Sequence, residues 1–142
     1  MTPLIPPALQ DIEDAFSFLE AWDDKYEYLL DLADRMPPLA ASEKTADYTV
    51  KGCMAQVWLV PEVQGGRLYI RADSDAQLVR GLIAVLRAAY DGQQIAAIPQ
   101  IDIRGAFSRM GLETHLSPNR RNGFFAMVGK VKTLSSTGRD QP

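Results

Sequence analysis

Cysteine and histidine are almost missing from this chain: Cys53 and His115 stand alone among 142 residues. A single thiol closes no intramolecular disulfide, so the fold has to rest on its core, and a reducing compartment, the cytoplasm, is the expected setting. One thiolate and one imidazole also fall short of the ligand set of a structural zinc site or an iron–sulfur cluster, so no bound metal is expected. Basic residues do not outnumber acidic ones. The formal net charge is -3 and the lysines and arginines are scattered, so the positive footprint of a nucleic-acid binder is absent. Long apolar runs are absent as well, broken by Arg80, Arg87 and Asp102, and no segment reads as a membrane span. The opening MTPLIPPALQ lacks the basic start and unbroken apolar stretch of a secretory signal.

What is present suits one domain across residues 1–142, since 46% hydrophobic content at this length can fill a single core. Residues 1–10 are expected to be loose and 135–142 to fray. Apolar residues at helical spacing, Ile12, Ala15, Phe16 and Leu19, then Tyr26, Leu29, Leu30 and Ala33, predict two helices with a break near Trp22–Asp24. Asp23 stands where it could cap the second, and Pro37-Pro38 would end it. The period then changes. "MAQVWLVPEV" and "RLYIRAD", separated by "QGG", read as a hairpin, with Pro61 placing the first strand at an edge or ending it. "DSDAQLVRGLIAVLRAAYDG" is the clearest helix, with Ser74 or Asp75 as its expected cap and Gly92 as its stop. Short helical and extended pieces follow to Gly111. Ser117 and Pro118 then open a terminal helix to about Leu134. This order predicts an α+β fold: a small antiparallel sheet with helices packed on one face.

Cys53 falls where a polar loop gives way to the first strand. A lone free cysteine commonly packs as a small hydrophobe. Its neighbours favour another use: Gly52 allows backbone geometry that side chains resist, and Lys51 can bias a nearby thiol toward thiolate. A Cys53–His115 nucleophile and base pair is weakly signalled, because no third, orienting group is indicated. His115 reads better as a capping or packing residue. Asp73 and Asp75 suit a helix N-terminus, with Asp75 the expected cap and Asp73 the freer, solvent-facing carboxylate. Arg120 and Arg121 open the last helix at the end where the dipole disfavours positive charge, which points to a use beyond helix stability.

"GCMAQVW", "DSDAQLVRGLIAVLRAAYDGQ" and "HLSPNRRNG", in this order between about Trp22 and Val131, resemble the SufE family, the sulfur-acceptor proteins that work with cysteine desulfurases and include the CsdE branch. The resemblance implies a fold like that of the iron–sulfur scaffold proteins. It implies that Cys53 takes a persulfide sulfur from a pyridoxal-phosphate-dependent desulfurase of the SufS or CsdA kind. It further implies that the protein stimulates that enzyme and passes the sulfur to a downstream acceptor or scaffold for iron–sulfur cluster assembly, with no cofactor of its own. The partner-facing surface would include Gly52, Asp73, Asp75 and Arg120. Met54-Ala55 stand where relatives commonly carry polar residues. The competing readings are a cluster scaffold, which lacks its ligand cysteines here, and a non-catalytic interaction domain in which Cys53 is structural.

Overall fold

The computed structural model describes residues 5–53 and 55–139, with side chains described up to residue 134. Met54 and the outermost residues of the expected loose start and frayed tail lie outside that range. Two helices open the chain, α1 (Pro7–Ser17) and α2 (Trp22–Arg35), followed by 3-10 turns at Ala41–Glu43 and Ala46–Tyr48. The hairpin of β1 (Val57–Gln64) and β2 (Arg67–Ser74) leads into α3 (Gln77–Tyr90). The two-residue strand β3 (Gln93–Gln94), a 3-10 segment at Ile95–Gln100, and α4 (Ile103–Arg109), α5 (Leu112–His115) and α6 (Pro118–Arg139) complete it.

The sheet is antiparallel in the order β1-β2-β3. Gly65 and Gly66 make its turn with φ of +58° and +76°, the left-handed pair that matches the twist of a two-residue hairpin. Leu59 pairs with Ala72, Pro61 with Ile70 and Val63 with Leu68. Pro61 does not end β1. The N–H of Ile70 donates to Asp91 and its carbonyl accepts from Arg87, both on the side away from β1. The facing pair Pro61–Ile70 is thus the non-hydrogen-bonded kind, and the missing N–H of Pro61 falls on the free edge.

Leu68, Ile70 and Ala72 bury one face of the sheet against α3, and α2 packs on α3 in turn. That second contact is backbone on backbone. A Cβ at Gly81 would lie 2.3 Å from the carbonyl oxygen of Leu29, so only glycine allows this approach. The α+β architecture with helices on one face of a small antiparallel sheet is therefore present.

Several local expectations are corrected. The chain is ordered well before residue 10: Pro7 opens α1 and Leu9 is fully buried. The break between α1 and α2 covers residues 18–21, and Trp22 is already helical. Asp23 is not a cap; the cap position is Ala21, and Asp23 sits in the first turn, where a negative charge still suits the dipole. The last helix continues past Leu134 to Arg139, since extending a formed helix costs little. The strand β3 and the short α5 carry too few residues to show a period.

The largest correction concerns Asp73. It is 3% exposed, not a free surface carboxylate. Its oxygens accept from the backbone N–H of Leu39 at 3.1 Å and of Ser74 at 2.8 Å, and they pair with Arg80 at 2.9 Å and Lys44 at 3.5 Å. The segment after α2 wraps over this end of the sheet and encloses it. Burial alone would raise its carboxyl, but the two N–H groups and the Arg80 and Lys44 charges outweigh burial and hold it below the usual range.

Asp73→Asn is expected to cost roughly 3 kcal/mol of stability, because it strands the Arg80 cation in a half-buried site. The contribution of a depressed carboxyl is complete above the ordinary Asp range and is lost as pH falls through its lowered value. The gap between wild type and variant in urea unfolding should therefore be widest near neutrality and close on acidification. Superimposable curves at neutral pH would show that the carboxylate contributes nothing.

Candidate functional site

Cys53 follows a turn at Lys51-Gly52, and the chain on either side of this stretch is pinned at Val50 and at Gln56. Upstream, the N–H of Val50 donates to the carbonyl of Val57 at 2.8 Å and Thr49 bridges Trp58. Downstream, the N–H of Gln56 donates to Asp75 Oδ1 at 3.0 Å, and the carbonyl of Gln56 accepts from Ser74 Oγ at 2.7 Å and the N–H of Asp75 at 3.3 Å. Asp75 therefore clamps the loop to the turn before α3. It does not cap that helix, whose cap position is Ala76; Ser74 Oγ accepts from the N–H of Ala76 at 3.2 Å.

The loop tip rests on α6. Gly52 has φ of +93°, a conformation that favours glycine, and a Cβ there would stand in tight contact, 3.3 Å from the Cβ of Ala126. Cys53 is half-buried, and its S–H donates to the carbonyl oxygen of Gly123 at 3.5 Å. A cavity of about 350 Å³ opens beside the sulfur. It is lined by the buried Met127, the partly buried Ala76 and Val79, and the exposed Ser117, Asn119 and Arg120.

Burial pushes the Cys53 thiol up from its ordinary value. Lys51 is exposed, and the raised value favours the protonated thiol over the nucleophilic thiolate in this conformation. Of the expected site residues, Gly52, Cys53 and Arg120 converge, Asp75 acts from the loop base, and Asp73 lies buried beyond it. Ser117 caps α6 by accepting from the N–H of Arg120 at 3.3 Å, as its position implies. Arg121 turns away, donating to the carbonyl of Glu113 at 2.8 Å. His115 stacks on Trp22, with ring centroids 5.0 Å apart, and is not part of the Cys53 cavity. Among the described residues, no group of three or more His, Cys, Asp and Glu could hold a metal ion, and no helix is long and apolar enough to cross a membrane.

Sequence reasoning missed Gly123, Val79 and Met127. Gly123 had a signal: a glycine inside a helix is costly, and a close backbone approach is one reason to keep it. A Cβ on it would meet Cys53 Sγ at 3.5 Å.

Because Asp75 holds the loop base and not the helix, Asp75→Ala should speed alkylation of Cys53 by iodoacetamide roughly ten-fold at neutral pH, the effect of losing a hydrogen bond to a charged group. Wild-type alkylation should rise at a pH above that of free cysteine, about 8.5, and the variant should move back toward it. The docked loop favours the protonated thiol, so its stability is complete below the free-thiol value and lost as pH rises through the raised one. Equal rates for both proteins across this range would remove Asp75 from control of the loop.

The model of the family described as "SufE: Fe-S metabolism associated domain" matches residues 10–135. An uncharacterized SufE-like protein of Rhizobium etli is 38% identical over 133 residues, covering 91% of this chain and 90% of its own. Another from Rhizobium meliloti is 36% identical over 130 residues, covering 89% of this chain and 93% of its own. The fold also matches the solution structure of a hypothetical protein from Thermus thermophilus, with a TM-score of 0.80, 97% of this chain and 100% of that chain covered, and 21% identity. With a family match across most of its length and relatives above one-third identity, the chain belongs to the SufE family, a domain associated with iron–sulfur metabolism.

Proposed function

We propose that this protein accepts a sulfane sulfur on Cys53 from a cysteine desulfurase, stimulates that enzyme, and hands the sulfur to a downstream acceptor for iron–sulfur cluster assembly. The observation that carries the reading is the placement of the chain's sole thiol: after a positive-φ glycine, beside a cavity lined by both apolar and polar side chains. Such a sulfur is sheltered at rest and needs only a small loop movement to be presented.

Transfer is thiolate exchange. The Cys53 thiolate attacks the outer sulfur of the partner's persulfide, the partner's sulfur–sulfur bond breaks, and the partner cysteine leaves as thiolate. Cys53 then carries the persulfide, and a second exchange passes the outer sulfur on and restores the thiol. No electron is gained or lost overall, so the acceptor needs no cofactor; the pyridoxal phosphate chemistry belongs to the desulfurase. Burial favours the protonated thiol at rest, so a partner that draws the loop out also favours the attacking thiolate. Arg120, exposed at the cavity mouth, is placed to meet an anionic group on the partner or the incoming sulfur. A reducing cytoplasm suits a working free thiol.

Incubation with a cysteine desulfurase and cysteine should add the mass of one sulfur atom to the intact wild-type chain and none to Cys53→Ser, which should fold normally. Equal stimulation of desulfurase turnover by the two proteins would end the acceptor reading. Arg120→Ala should weaken that stimulation while changing stability by no more than about 0.5 kcal/mol, as for other exposed side chains. A large loss of stability with full stimulation would instead make Arg120 a structural residue.

A further inference from the structure

We propose that the cavity beside Cys53 also takes thiosulfate, and that Cys53 accepts its outer sulfur directly, with no desulfurase. This goes beyond the sulfur-acceptor reading and rests on it only for the later use of the sulfur. The observation that carries it is the state of Arg120. Every other arginine with a described side chain is engaged within the chain, by a carboxylate, by a backbone carbonyl or, for Arg104, by the face of Phe125. The Arg120 guanidinium has no such partner among the described residues, and it lines the same cavity as the chain's sole thiol. A guanidinium is donor-only and always charged, so one left unpaired beside a cavity is free for an anionic ligand.

Thiosulfate has two unlike ends, hard oxygens that share the charge and a soft, polarisable sulfur. The lining offers surface to both. Arg120, the Asn119 amide and the Ser117 hydroxyl supply donors for the oxygens, while Val79 and the thioether of Met127 suit the sulfur. No carboxylate is among the described lining residues, so none there repels the charge. The volume of about 350 Å³ falls within the usual range of small-ligand sites, about 300–1,000 Å³.

The exchange balances without a further reagent. The Cys53 thiolate attacks the outer sulfur, the sulfur–sulfur bond of thiosulfate breaks, and its electron pair leaves with sulfite. Cys53 keeps the transferred sulfur as a persulfide anion. The oxygens carry more of the charge in sulfite than in thiosulfate, so donors placed on them assist the bond that breaks.

The test uses the whole chain, thiosulfate and intact mass at mildly alkaline pH. Wild type should gain the mass of one sulfur atom at a rate that saturates with thiosulfate, and cyanide should remove that sulfur as thiocyanate. Cys53→Ser should gain none. Arg120→Ala should load roughly ten-fold more slowly, the scale of a hydrogen bond to a charged group, and Arg120→Lys, which keeps the charge, should recover part of the rate. With the neutral reagent methyl methanethiosulfonate, both Arg120 variants should react within about two-fold of wild type, as expected of an exposed side chain that leaves the thiol itself unaltered. No added sulfur, a rate that climbs linearly without saturating, equal loading of wild type and Arg120→Ala, or equal slowing of that variant with both reagents would overturn the site. A chain that loads from a desulfurase but not from thiosulfate loses this inference alone. One that loads from thiosulfate and from no desulfurase keeps it and ends the acceptor reading.

Discussion

The buried carboxylate of Asp73 is the constraint on which the remaining geometry hangs. Four donors from four parts of the chain meet on it: the Leu39 N–H, the Ser74 N–H, Lys44 and Arg80. Arg80 also donates to the carbonyl of Met36 at 2.7 Å, and Lys44 lies 5.3 Å from the centre of the Trp58 ring. The segment leaving α2 is thereby fastened across the end of the hairpin, and residues 49 and 50 enter β1 pairing at one defined place. A buried charge is retained only where its partners are complete. Here completeness fixes where the cysteine loop begins.

Two residues further on, Asp75 does a different job with the same functional group. It is exposed, and it holds a single backbone N–H, that of Gln56. The pair divides the work by depth: Asp73 sets the position of the loop's entry, and Asp75 sets how firmly its exit is held. The chemistry of the site lies between them and α6. The β2–α3 turn, the loop and the terminal helix are brought together without any one of them containing the whole site.

Much of this is legible in the residues, and the failures share a cause. The hairpin at Gly65-Gly66, the long α3, the Ser117-Pro118 start of α6 and the placement of Cys53 before an edge strand follow from local signals: turn chemistry, apolar period, capping. Asp73 escapes such a reading because its environment depends on Leu39 and Lys44, some thirty residues upstream, and nothing local distinguishes a buried acid from a solvated one at a helix start. Asp75 escapes it for the mirror reason: its local role as a cap is available, but a strand end 19 residues away takes the side chain instead. Gly123 shows the same limit from the packing side, since a helix glycine announces that something comes close without saying what.

If the chain is the sulfur acceptor proposed above, the half-buried state of Cys53 also bears on traffic between copies of it. Sulfane sulfur exchanges between any two accessible thiols, and a population of acceptors with open cysteines would trade sulfur among themselves at equilibrium, with no net direction. An empty chain whose half-buried sulfur favours the protonated thiol is a poor nucleophile toward a loaded neighbour. On the proposed acceptor function, idle molecules are thereby insulated from one another, and flow between proteins is confined to encounters with a partner able to open the loop.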